Sequence, residues 1–196
     1  MKYFRKLIGT KVYLSPLSAD DAPLICGWFN DLAITKNLSI ASSMVTVPSE
    51  QNWLSNACEG KDKSEIVHAI VDIATDTMIG TAGLHRIDLV HGLADFGILI
   101  GDKNYHDKGY GTEATKLTLD FAFNILNLRN VRLSVFEFNK RGQRAYEKAG
   151  FKLIGRRRKA WPIGGTVYDV IIMDAIAEEF ESPFVRKAVS GTMTRE

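Results

Sequence analysis

HDKGYGTEA, residues 106–114, decides how this 196-residue chain is read. Two glycines and a lysine lie between a strand-like run, FGILI at 96–100, and a helix-like run whose apolar residues Ala114, Leu117, Phe121 and Ile125 recur every three or four positions. Glycine lets backbone amides turn inward and lets a ligand approach with no Cβ in the way. The first turn of a helix adds unpaired N–H groups and partial positive charge. A strand, a glycine loop and a helix in this order form a junction suited to phosphate.

Three kinds of phosphate loop have this outline, and the flanking residues separate them. A P-loop carries Gly-Lys-Ser/Thr after its second glycine, so that lysine and hydroxyl meet the outer phosphates; here Lys108 precedes the first glycine, which excludes it. A dinucleotide fingerprint is met in part, because Gly109, Gly111 and Ala114 fit G-x-G-x-x-A and Glu137 ends the next strand-like run. That loop, however, turns directly out of its strand, whereas residues 102–108 separate Gly101 from Gly109.

Residues 139–151, NKRGQRAYEKAGF, read as a helix with Asn139 as N-cap and Gly150 as its stop. Asn139 and Tyr146 then share a face, about 10 Å apart along the axis. Taken with the glycine loop, this helix resembles the GNAT superfamily of acetyl-CoA-dependent N-acyltransferases. In that superfamily, pantetheine and pyrophosphate sit against Gln/Arg-x-x-Gly-x-Gly/Ala, and a later helix carries Asn and Tyr before a Gly-Phe end. Gly109 and Gly111 stand at the two glycines, and His106 stands where the pattern has Gln or Arg. KVYLSPLSADDAPLICGWFND (11–31) and MIGTAGLHRID (78–88) are similar to the opening and the third strand of the branch containing ribosomal-protein N-terminal acetyltransferases. The resemblance covers roughly residues 9–180. It implies a single acetyltransferase domain over 1–180 and leaves 181–196 as a C-terminal tail, a candidate for disorder.

The resemblance implies an α/β (α+β) GNAT fold: a mixed, mostly antiparallel sheet with a central parallel pair of strands that splay apart, and helices on both faces. It implies acetyl-CoA as co-substrate, with no metal, bound by the strand edge at Ile98, Leu99 and Ile100, by the loop at His106, Lys108, Gly109, Tyr110, Gly111 and Thr112, and by Asn139, Arg141 and Tyr146. The resemblance further implies direct attack of the amine on the thioester, with Tyr146 protonating the departing thiolate. Asp95 and His85 are the candidates for the base, beside a water chain with no dedicated base. Glu113, in the first helical turn, reads as dipole compensation.

The segment from Asp31 to Glu50 is rich in Ser and Thr with few acids, and the resemblance implies that it walls the acceptor site; a plain surface loop is the alternative. Few acids favour a protein N-terminal α-amine as acceptor over a polyamine, an aminoglycoside or another small-molecule amine. A non-catalytic acyl-CoA-binding module is the reading of a different class.

Composition agrees with one soluble domain. The chain is 45% hydrophobic and 24% charged, and its net charge of +2 gives no bias toward nucleic acid or membrane. No apolar run approaches a membrane span and no signal-peptide core follows the N-terminus; a cytoplasmic location, and a monomer or homodimer, are the expectations. Cys26 and Cys58 are too few for a disulfide framework and read as buried or half-buried thiols.

Periodicity predicts a strand at 12–14 and a helix capped by Ser18, then a second helix over 48–56 capped by Ser49. Strands follow at 66–73, 78–87 and 93–100, and at 131–138, this last one parallel to 93–100 because a helical crossover separates them. A final hairpin joins 151–161 to 166–176 through Pro162-Ile163-Gly164-Gly165. On that hairpin the basic run Arg156 to Lys159 reads as a solvated edge.

Overall fold

The computed structural model of the chain describes residues 2–190. Strands β1 (Leu7–Ile8), β2 (Val12–Pro16), β3 (Ile66–Asp72), β4 (Thr77–Asp88), β5 (Leu93–Ile100), β6 (Asn130–Phe136), β7 (Lys152–Ile163) and β8 (Thr166–Ile176) make one 8-stranded sheet in the order β1-β2-β3-β4-β5-β6-β8-β7. Neighbours run antiparallel except β5 and β6, which are parallel because helix α4 (Tyr110–Asn124) carries the chain back between them. This is the mixed sheet the sequence predicts.

β5 and β6 stay together only briefly. They pair at Leu93↔Asn130, Ala94↔Val131 and Asp95↔Arg132, and no pairing joins them from Phe96 onward. The far half of β5 therefore presents backbone N–H and C=O groups that no strand satisfies on that side, and every such group needs a partner of some kind.

Helices cover both faces of the sheet. α4, with α5 (Lys140–Ala149) and α6 (Val185–Val189), packs over Leu14, Ile70, Ile79, Leu84, Phe96 and Phe151. α1 (Ala22–Phe29), α2 (Leu32–Thr35) and α3 (Val47–Cys58) cover the other face through Ile25, Trp28, Ile34 and Leu54, against Tyr13, Val71, Met78 and Leu99. Leu117 of α4 is fully buried, worth ~1.5–3 kcal/mol relative to exposure. The expected apolar stripe stops one turn early, because Ile125 forms the C-cap and is 43% exposed.

Glu113 fastens the start of α4 to the turn before β2. Its carboxylate accepts from the N–H groups of Thr10, Lys11 and Val12 at 2.9, 2.7 and 2.9 Å, and from the Thr10 hydroxyl. Burial pushes this carboxyl up, but those bonds outweigh it and hold it below the usual carboxylate range.

Three local expectations are corrected. Thr46, not Ser49, caps α3, its hydroxyl accepting from the Ser49 N–H at 3.3 Å. Cys58 is exposed, whereas Cys26 is buried. Residues 181–190 are not a free tail: Ser182 Oγ and the N–H groups of Phe184 and Val185 donate to Asp120 on α4 at 2.6, 2.8 and 2.9 Å, and α6 starts there. Asp120 is fully buried, and a buried carboxylate needs donors, which this segment supplies. Residues 191–196 lie outside the described residues.

Candidate active site

A cavity of about 240 Å³ opens where β5 leaves β6, between β5, the loop before α4, and α5. Ile98, Leu99 and Ile100 form its strand wall, and His106, Gly109, Gly111 and Thr112 its loop wall. Asn139, Arg141 and Tyr146 close it from α5. Gly109 is the N-cap of α4 and holds φ +86°, a left-handed conformation that glycine adopts without penalty. Gly111 lies inside the helix with no such φ; a Cβ there would sit 3.5 Å from Ile100 Cγ1, at the cavity wall.

His106 turns its ring back to the strand, where Nε2 lies 2.9 Å from the Ile100 carbonyl oxygen. Asn139 caps α5, its Oδ1 accepting from the Gly142 N–H at 2.9 Å, and lines the cavity as well. Two expected residues turn elsewhere. The Lys108 carbonyl accepts from Lys11 Nζ, and the Tyr110 ring packs edge-on against Tyr105, 4.9 Å between centroids, with the Lys11 ammonium over its face. Neither residue lines the cavity, because the helix rotates Tyr110 about 100° away from Gly111.

Sequence reasoning missed Arg144 and Lys148, which line the same cavity. With Arg141 they recur at three and four positions along α5, a spacing that would have shown one cationic face. Cations beside the unpaired N–H groups of the first turn of α4 are the donors that phosphate needs.

Tyr146 sits between Phe96 and Phe151, edge to both, with centroids at 6.2 and 6.0 Å. Its hydroxyl has no hydrogen-bond partner among the described residues. Burial pushes its pKa up to about 12, against a smaller opposing pull from Arg141. It remains a protonated phenol throughout the neutral range.

A second cavity, of about 380 Å³, lies on the α1–α3 face of the sheet. Phe29, Trp53 and Glu50 roof it, residues 38–45 of the loop before α3 wall it, and Gly97, Ile98 and Leu99 floor it. That loop is pinned by Asn30, which donates to the Val45 carbonyl at 2.7 Å and accepts from its N–H at 3.1 Å. Leu38, Ile98 and Leu99 belong to both cavities, so the two meet across β5.

Two carboxylates and a histidine face this second space. Glu50 is buried on α3 with Oε1 unpartnered, and burial pushes its carboxyl above the usual range. Glu65 lies 2.5 Å through Oε1 from His85 Nδ1. His85 stands within β4.

The other candidate base is elsewhere. Asp95 is gripped by Arg132, Nε to Oδ1 at 3.0 Å and Nη2 to Oδ2 at 3.1 Å, and by Arg86, and it lines neither cavity. Glu137, the acidic residue of the dinucleotide alternative, accepts from the Asp169 N–H and pairs with Arg156. The basic run lies on β7, where residues 156–159 are exposed. Among the described residues, no group of three or more His, Cys, Asp or Glu could hold a metal, and no helix is long and apolar enough to cross a membrane.

Residues 11–152 match the acetyltransferase (GNAT) domain, and the chain belongs to that family. A probable N-acetyltransferase of Bacillus subtilis (strain 168) is 30% identical over 83% of this chain and 92% of its own length. The spermidine N(1)-acetyltransferase of Escherichia coli (strain K12) is 35% identical over 48% of this chain and 50% of its own. The structure of the spermidine N-acetyltransferase from Vibrio cholerae in complex with CoA and spermine superposes with a TM-score of 0.77 at 22% identity, over 87% of this chain and 98% of that one, a likeness of fold.

Proposed function

We propose that this chain transfers the acetyl group of acetyl-CoA to a primary amine of a small cationic molecule, with CoA in the first cavity and the amine in the second. The observation that carries this is the meeting of the two cavities at Leu38, Ile98 and Leu99, where β5 has parted from β6. Acetyl-CoA supplies an acyl group already activated as a thioester, so that holding donor and acceptor together does much of the work.

The residues present fit that co-substrate. The first turn of α4 offers N–H groups to phosphate beside a glycine that keeps the wall open, and Arg141, Arg144 and Lys148 add positive charge. The free edge at residues 98–100 suits the amides of an extended arm, which add to β5 as a strand would. Tyr146 gives its proton to the departing sulfur, and His85 faces the amine.

The carboxylates favour a small cation over a protein N-terminus. Residues 31–50 are poor in acids, but the folded wall turns Glu50 inward and adds Glu65 from beyond that segment. The relatives named as spermidine acetyltransferases support the same choice. Mass spectrometry of products formed from acetyl-CoA and a panel of spermidine, spermine, an aminoglycoside and peptides with free N-termini tests it. N-acetylated polyamine or aminoglycoside is expected. Transfer to peptides alone would return the ribosomal-protein reading, and CoA binding without transfer to any amine would leave a non-catalytic binding module.

A further inference from the structure

Register places Glu65 and His85 opposite one another. Val67 pairs with Gly83 and Ile66 with Leu84, so the residue before β3 faces the one after Leu84 on the same side of the sheet. Both side chains line the second cavity, Glu65 Oε1 lies 2.5 Å from His85 Nδ1, and the other ring nitrogen points inward over the floor. Two glycines make room for it. A Cβ on Gly97 would lie 3.1 Å from His85 Nε2, and one on Gly83 would lie 3.3 Å from it. Beyond Gly97 come Ile98 and Leu99, the residues common to both cavities.

We propose that Glu65 is a positioning residue for acetyl transfer: its carboxylate holds the imidazole with the proton on Nδ1, leaving the Nε2 lone pair to deprotonate the acceptor ammonium. This rests on the acceptor amine occupying the second cavity. A primary amine arrives as R–NH₃⁺ and must lose a proton before its lone pair can attack. Nε2 takes that proton, and the half-exposed ring passes it to solvent. The C–N bond then forms and the C–S bond breaks; the second proton lost by nitrogen balances the one Tyr146 delivers to sulfur. One amide, one thiol and one proton result.

Other charges face His85, and none of them takes its Nδ1. Asp95 is opposite it on β5 but is held by Arg132 and Arg86, and Glu50 approaches from α3 on the far side of the cavity. The test pairs two readouts. In the free enzyme, ¹⁵N NMR of the His85 ring should show the proton fixed on Nδ1 in wild type and a mixture of tautomers in Glu65→Gln; the same tautomer in both would overturn the proposal. With acetyl-CoA and an amine that the enzyme acetylates, Glu65→Gln should lower kcat by roughly 10–10²-fold, with the KM for acetyl-CoA unchanged. The same substitution should add little in a His85→Gln background, because the two residues act as one unit. Independent, multiplying effects, or a raised amine KM at unchanged kcat, would make Glu65 a substrate ligand and overturn the proposal. If no amine is acetylated, the functional reading fails while the NMR comparison still decides the dyad.

Discussion

The Tyr146 ring meets Phe96 of β5 at an interplanar angle of 86°, centroids 6.2 Å apart, so the helix that carries the proposed acid is seated on the strand that walls the first cavity. Aromatic contact fixes the ring while leaving its hydroxyl without a partner among the described residues. Tyr146→Phe keeps that contact and deletes only the proton donor. Stability and CoA affinity should change little, and single-turnover acetyl transfer at saturating amine should slow by about 10–10³-fold. An unchanged rate constant would make Tyr146 a packing residue.

Gly111 faces the first cavity from the first turn of α4. Its backbone is ordinary helix, so Gly111→Val carries no φ strain, and a branched side chain would fill the cavity space proposed for phosphate beside the N–H groups. The variant should fold and lose CoA binding by calorimetry. Unchanged affinity in a folded variant would refute the loop assignment.

Glu50 is expected to show opposite effects on stability and on activity. Burial raises its carboxyl, so its contribution to stability is present below the unfolded carboxylate pKa and is lost as pH rises through the raised value. Above that raised value the free protein carries a buried charge at a cost. Glu50→Gln should raise the Tm of the free protein while lowering kcat/KM for a polyamine by about 10–10²-fold, the worth of one hydrogen bond to a charged group. A lowered Tm with unchanged kinetics would show a structural carboxylate instead.

His68 sets an acid limit on the fold. It is buried on β3 against Phe121 with Nδ1 unpartnered, and burial, helped by Lys6, pulls its pKa down to about 4. An unfolded histidine titrates near 6.5, so between roughly pH 6.5 and 4 the unfolded chain binds the proton more readily. Stability should fall across that window by as much as ~3 kcal/mol and fall no further on this account below it. Urea unfolding at a series of pH values should show His68→Phe with a shallower decline than wild type; parallel curves would refute the assignment.

What could be read beforehand was what the backbone writes into composition. The glycines of the α4 loop, the Asn139 cap, and the parallel β5–β6 pair are local or nearly local consequences of residue type. The second cavity was legible only in part, because its chemistry comes from pairings across the sheet. Nothing near Glu65 in the chain announces that His85 will stand opposite, and nothing near Asp95 announces the two arginines that claim it. The short β1 and α2 leave no periodicity to detect. The docking of residues 181–190 depends on Asp120, a helix carboxylate whose burial shows only once the fold is formed.

The proposed direct passage of the acetyl group across Ile98 and Leu99 is tested by rapid-quench analysis of the enzyme mixed with labelled acetyl-CoA, first alone and then with an amine that it acetylates, following free CoA and intact-protein mass together. Without amine, no CoA should be released and the protein should carry no label; with amine, CoA and acetylated amine should appear in equal amounts in one step. CoA released at one equivalent with an acetyl group on the protein, before any amine is added, would contradict direct attack.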